Sequence, residues 1–290
     1  MAIDILQNKI KKQGRTLMLD LSIKADEVPP VLLQASAGPV DACRDYSRKL
    51  LQGLKTQISA VRFRLLHFAL MGEKGISLLS ELLKYASSQG YYTLLDIPGL
   101  MSEEDAAFSA GRIWGEDGIF PCDGVVVSAY PGSDVIKPFL PYCQEQKKDV
   151  FVAVRTPNRS APDIQNLLAG SRTVHMAAAD NVNRYGGTTI GKFGYSRVGI
   201  LAAATAGDSV KMLRAKYPGL FMIVDGLDCS GANARNCSYG FDRMGHGAIV
   251  CLGSSVTSAW KEDSGEDYLL AAVSSAQKAR KRIERYVTVL

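Results

Sequence analysis

Charged and hydroxyl side chains stand at the ends of short apolar runs all along this 290-residue chain. Asp20 lies in "TLMLDLS", Arg62 and Arg64 in "AVRFRLL" and Asp96 in "YYTLLDI", while Asp225 and Asp228 end and follow "LFMIVDG". Ser128, Tyr130, Arg155, Thr156, Asn158, Thr205, Ser254 and Ser255 hold the corresponding places in other runs. Carboxylates beside guanidiniums can move protons or stabilise charge that develops on a substrate. The same residues have a plainer use. Buried charges need partners whether or not they do chemistry, so Arg62 and Arg64 are equally expected to pair with Asp20 and Asp96. Thr156 and Asn158 can be loop formers, Ser254 and Ser255 can cap a helix, and "DGLDCSG" can be only a turn. The six cysteines lie far apart, with no C-x-x-C and no Cys/His cluster, which predicts reduced thiols in a cytoplasmic protein and no metal site.

The elements that would position these groups are eight apolar, β-branched runs: 16–22, 60–66, 91–97, 123–129, 149–156, 197–205, 220–226 and 247–253. Near-continuous apolarity is expected of parallel strands buried on both faces. Helical patterns lie between them. Residues 41–55 open on Asp41 as a cap, 75–90 end on a glycine, and 102–115 open on a capping box of Ser102 and Asp105. Residues 208–219 and 266–286 read the same way. Strands alternating with helices over this length predict a (β/α)8 barrel, with a short N-terminal helix ahead of it; a doubly wound open sheet is the alternative. No linker or shift of composition divides the chain, so one domain over 1–290 is expected. The longest connection, 157–196, follows the fifth strand and carries Arg172, Arg184 and Lys192. A segment of that length is expected to be a lid or to face a substrate, with plain packing as the alternative.

Composition narrows the function classes. The chain is 47% hydrophobic and 22% charged, which excludes disorder as its general state. Its net charge is +5, but the basic residues are scattered apart from "KARKR" at 278–282. That run sits at a helix C-terminus, where cations suit the dipole, so it reads as a solvated face and not a nucleic-acid surface. No apolar run reaches the roughly 18 residues of a membrane helix, and "MAIDILQNKIKKQGR" lacks the apolar core of a signal peptide.

Four stretches carry a resemblance. "AYPGSDVIKPF" (129–139), "VRTPNRSAPDIQ" (154–165), "GKFGYSRVGILAAAT" (191–205) and "FDRMGHGAIV" (241–250) resemble the bacterial long form of orotidine 5'-monophosphate decarboxylase. "MLD" at 18–20, followed by "VPP", resembles that family's first strand. The resemblance runs in order from about residue 16 to 260 and is specific for the family, though not for its activity. It implies a dimeric barrel that removes CO2 from a pyrimidine nucleotide without a cofactor, using alternating Lys and Asp residues. One Lys ends strand two. Strand three carries Asp-x-Lys-x-x-Asp, whose last Asp serves the neighbouring subunit.

Measured against that pattern, the chain departs at both ends of the expected site. Arg62 falls on the strand-two Lys. In "DIPGLM", Asp96 is kept, Pro98 falls on the Lys and Met101 on the second Asp. Asp96 and Arg62 are therefore degenerate catalytic positions, and Asp20, Thr156, Asn158, Thr205, Ser230 and Ser254 are the expected substrate-binding ones. Ser230 falls on the Gln of the strand-seven phosphate loop, and Ser254 on the phosphate-gripping Arg after strand eight. Asp225 and Asp228 add carboxylates where a phosphate dianion would sit. The expectation is a member that has lost or nearly lost decarboxylation, acting as a partner or regulatory subunit, as a homodimer or paired with an active paralogue. Two alternatives stand beside it. One is a retuned enzyme for a non-phosphorylated or cationic ligand. The other is an active decarboxylase with replacement groups from Arg64, Lys192 or the 157–196 segment. A nucleotide or other small molecule is the expected ligand; no cofactor, nucleic acid or membrane is.

Overall fold

The computed structural model describes residues 2–262 and 267–289. Eight parallel strands close into a barrel, each paired with its neighbours in sequence and the last with the first. They are β1 (Leu17–Asp20), β2 (Ala60–Arg64), β3 (Tyr92–Asp96), β4 (Gly124–Ser128), β5 (Asp149–Arg155), β6 (Ser196–Ala203), β7 (Leu220–Asp225) and β8 (Ala248–Leu252). Helix α1 (Ala2–Gln13) precedes the barrel. Each strand is followed by a helix on the outside: α2 (Pro39–Gly53), α3 (Glu73–Ser88), α4 (Glu103–Trp114), α5 (Leu140–Glu145), α6 (Val174–Gly186), α7 (Gly207–Lys216), α8 (Ala234–Ser238) and α9 (Tyr268–Glu284). The open-sheet alternative is thereby set aside.

The strands read as continuous apolar runs because both faces are buried, yet the faces differ. Leu17, Leu19, Val61, Phe63, Val125, Val127, Val224 and Val250 face outward into the helix layer. Met18, Ala60, Leu94, Val126, Phe151, Phe221, Ile223 and Ile249 face inward with the apolar side of α1. Side chains alternate along a strand with period two. Asp20, Arg62, Asp96 and Asp225, two residues on from Met18, Ala60, Leu94 and Ile223, therefore carry the inward row up to the C-terminal mouth. At the opposite end α1 is held by Arg197, which reaches Asp4 (3.3 Å) and Asp149 (3.5 Å), while the Tyr92 hydroxyl donates to Asp149 (2.9 Å).

Several local expectations are corrected. Helix α2 begins at Pro39 with Gly38 as its N-cap, because proline suits the first helical position. Asp41 is thus inside the first turn, paired with Arg44. The run 60–66 stops being strand at Arg64, and Leu65 opens a short helix, Leu65–Ala69. Ser254 lies inside the short helix Ser254–Thr257, which has no side-chain cap. Half of the capping box expected at α4 forms: Ser102 Oγ accepts from Asp105 N–H (3.1 Å), while the Asp105 carboxylate accepts from the backbone N–H of Met101 (3.3 Å) and not from that of Ser102. The expected start of the last helix at 266 lies outside the described residues, and α9 is capped by Asp267.

Candidate active site at the barrel mouth

Strand register brings the charged groups together. Asp20 on β1 pairs across the sheet with Arg62 on β2, and Arg64 with Asp96 on β3. Across the mouth, Asp225 ends β7. Arg62 is 1% exposed and sits between two carboxylates. It donates to Asp20 Oδ2 at 2.7 Å and, through both terminal nitrogens, to Asp225 at 3.0 and 3.2 Å. Arg64 also donates to Asp20, from Nε at 2.7 Å. The pairing expected of Arg62 and Arg64 thus holds for Asp20. Asp96 is left out, and Asp225 stands in its place.

The Asp96 carboxylate consequently has no hydrogen bond or ion pair among the described residues, although Asp96 lines a cavity. Burial pushes its carboxyl up; the charges of Arg62 and Arg64 oppose this without cancelling it. Burial alone would raise Asp20 too, but Arg62, Arg64 and a hydrogen bond from Ser22 bring it down to about 2. Arg62 is raised well above its ordinary value, because Asp225, Cys251 and Asp20 outweigh the burial that would lower it.

Two pH effects of opposite sign follow. Asp20 is depressed in the fold, so its contribution, about 2 kcal/mol, is complete above pH ~4 and is lost as pH falls towards 2. The gap in urea midpoint between wild type and Asp20→Asn is expected to hold above pH ~4 and to narrow as pH falls from there towards 2; a gap that stays constant to pH ~2 would contradict the assignment. Asp96 is raised, so its charged form weakens the fold near neutral pH, and the penalty fades as acid protonates it. Asp96→Asn is expected to be as stable as wild type at pH 7, or more stable by up to about 1 kcal/mol. This gain should shrink as pH falls and be gone below pH ~3.5, under the ordinary carboxyl value.

Two cavities meet at the guanidiniums. The smaller, about 210 Å³, lies between β1, β7 and β8 and is lined by Asp20, Lys24, Asp228, Cys251 and Ser254 among others. Here Asp228 Oδ2 accepts from the backbone N–H of Gly253 (2.6 Å) and of Ser255 (3.3 Å). The loop after β7 thus folds one of its own carboxylates onto the amides after β8. Gly226 and Gly231 permit this with positive φ of 77° and 88°. The larger cavity, about 840 Å³, is walled by Ile97, Val126, Leu201, Ile164, Val174 and Ala178, with Asp96 and Pro98 at its β3 edge.

The expected binding residues divide between these spaces. Thr156 and Asn158 line the larger cavity, tied to each other at 2.6 Å and, through Thr156, to Gln165 at 2.7 Å. Asp20 and Ser254 line the smaller. Thr205 lies in the turn Ala204–Ala206, and Ser230 is exposed beyond Asp228; neither lines either cavity. Lys192 packs over Phe193, next to the α1 end of the barrel, away from the mouth.

The 157–196 segment is ordered as a four-residue helix, a two-residue hairpin and α6. It supplies one side of the larger cavity. Its His175 is a wall residue that the sequence pattern did not single out. Buried, with Nδ1 against Gln165 O (2.8 Å), His175 is lowered by burial and by the charge of Arg155, so it is neutral at pH 7.

No family model matches the chain. Curated relatives do. The chain is 24% identical over 300 residues to the orotidine 5'-phosphate decarboxylase of Caldicellulosiruptor saccharolyticus, covering 98% of each. It is 26% identical over 268 residues to that of Clostridium perfringens, covering 91% of this chain and 92% of the other. Among solved structures, the OMP decarboxylase of Leishmania donovani aligns over 99% of both chains with a TM-score of 0.75 at 20% identity. The orotidine 5'-monophosphate decarboxylase of Methanocaldococcus jannaschii, solved with the inhibitor BMP, aligns with a TM-score of 0.63 at 14% identity, covering 92% and 98%. Matched by decarboxylases over nearly its whole length, and sharing their barrel fold, the chain is similar to the orotidine 5'-phosphate decarboxylases.

Proposed function

We propose that this member has lost decarboxylation of orotidine 5'-monophosphate, and that its mouth no longer serves a nucleotide. The observation that carries this reading is Asp96 without a cation. The carboxylate kept from the family's strand-three motif has Pro98 where the resemblance places an ammonium. Among the described residues that line either cavity, the one lysine is Lys24, on the far side of the Asp20–Arg62–Asp225 cluster. Arg62 keeps positive charge but is held by two carboxylates, and a guanidinium does not give up its proton. Pro98 offers neither charge nor N–H.

The phosphate end supports the same reading. The amides of Gly253 and Ser255 already hold Asp228, so an arriving phosphate dianion would meet a carboxylate and not a cradle. The test is a decarboxylation assay, followed as loss of substrate absorbance, with calorimetric titration of uridine monophosphate on the same sample. No turnover and no saturation below millimolar concentration are expected. Enzyme-like turnover would overturn the proposal.

We further propose that the chain works in the cytoplasm as a homodimer, or paired with an active paralogue, through its mouth-side rim. Met101, Tyr130 and Leu168 follow three successive strands at that rim and are 65%, 76% and 75% exposed. Exposed apolar groups clustered on one face mark interaction surfaces. Sedimentation at micromolar concentration is expected to give a dimer, weakened by the double variant Met101→Asp/Leu168→Asp. A monomer would refute self-pairing. The six free cysteines suit a reducing compartment, and no described helix is long and apolar enough to cross a membrane.

A further inference from the structure

In a chain of net charge +5, the two mouth cavities carry three basic side chains against six carboxylates. Most of those carboxylates are engaged. Asp20 and Asp225 hold Arg62 and Arg64, Asp228 is bound by backbone amides, and Glu27 accepts from the Thr257 hydroxyl at 3.0 Å. Asp163 is exposed. Asp96 alone is partly buried and without a donor to its carboxylate, facing a space of about 840 Å³ with Ile97, Val126, Leu201, Ile164 and Val174 on its walls. Cavities of that size take drug-sized ligands, oriented by a few polar groups on apolar walls. The guanidiniums that could attract an anion are consumed, and His175 adds no positive charge.

We propose that the larger cavity binds a monocationic amine or amidine on a flat apolar body, without phosphate, its charged nitrogen against Asp96. This rests on the reading that the mouth has given up nucleotide phosphate. The cation supplies the charge-assisted donor that Asp96 lacks. The apolar body fills the space between β3, β4 and the segment carrying Ile164, Val174 and Ala178.

The test titrates the full chain at pH 7.5 with benzamidine, benzoate and benzyl alcohol, on the preparation used for the decarboxylation assay. Benzamidine is expected to saturate, and benzoate to bind at least about tenfold more weakly. Asp96→Asn should weaken benzamidine by about tenfold and leave benzyl alcohol unchanged, while Asp117→Asn, at an exposed carboxylate that lines neither cavity, changes benzamidine less than about twofold. Equal binding of benzoate, no effect of Asp96→Asn, or saturation by none of the three would each overturn the assignment. Absence of decarboxylation together with absence of cation preference would sink this proposal and leave the loss of activity standing. Decarboxylation would sink the reading beneath it.

Discussion

Orotidine 5'-monophosphate incubated with the purified chain is expected to lose CO2 at the uncatalysed rate, to within about tenfold. The magnitude follows from what the site lacks. Decarboxylation at the pyrimidine ring builds carbanion character at carbon 6, and a fixed ammonium stabilises it and then supplies the proton. Removing one preorganised group of this kind costs about 10²–10³ in rate. Here three positions of the expected set are changed, at Arg62, Pro98 and Met101. Groups that act as a unit do not add independently, so losing the central ammonium removes most of what the set supplies. Pro98→Lys alone is expected to restore nothing measurable, because the new ammonium would face Asp96 while Asp228 still fills the phosphate end. The triple variant Arg62→Lys/Pro98→Lys/Met101→Asp rebuilds the charges without the phosphate grip, and should rise above background only at millimolar substrate. Wild-type turnover near 1 s⁻¹, the low end of ordinary enzymes, would mean that another group does the ammonium's work.

Much of the fold is legible in the sequence because its physics is local and repeated. "LFMIV" (220–224) and "AIVCL" (248–252) are apolar at every residue, which strands buried on both faces require. The polar strand ends, Asp20 and Asp225, mark the mouth for the same reason. What the sequence does not carry is partner choice across the barrel. Arg62 and Asp225 are 163 residues apart, and nothing near either one says that closure will bring β2 opposite β7. Strand neighbours suggest Asp96 as a partner instead. The capture of Gly253 and Ser255 amides by Asp228 is hidden likewise, since it needs two loops from different strands. His175 is not legible in the sequence because the segment around it has no strong period, and only the packing of α6 brings it to the cavity wall. Asp41 differs for a smaller cause: an acid there suits a cap, but Pro39 takes the first helical position and leaves Asp41 inside the first turn.

Arg62→Met is expected to cost 3–5 kcal/mol of folding stability, read as the urea midpoint at pH 7. The side chain is almost wholly buried and neutralises Asp20 and Asp225 together. Methionine fills a comparable volume, so the loss is electrostatic and not a cavity. It leaves Asp225 without its two donors, and leaves Asp20 with Arg64, whose side chain is 42% exposed and so holds the charge less firmly. Breaking one partner of a buried ion pair is costly because the other charge stays behind, whereas replacing the whole group is often neutral. The triple variant Asp20→Asn/Arg62→Met/Asp225→Asn should therefore recover most of the lost stability. Arg62→Lys should fall between, since an ammonium keeps the charge but cannot span both carboxylates as the planar fork does. A loss below about 1 kcal/mol for Arg62→Met would show that the carboxylates find water or each other's protons instead. The cluster would then be loose enough to rearrange around a ligand. A loss in the expected range, recovered in the triple variant, would make the guanidinium a structural tie across the mouth, which is why it cannot double as the ammonium that decarboxylation needs.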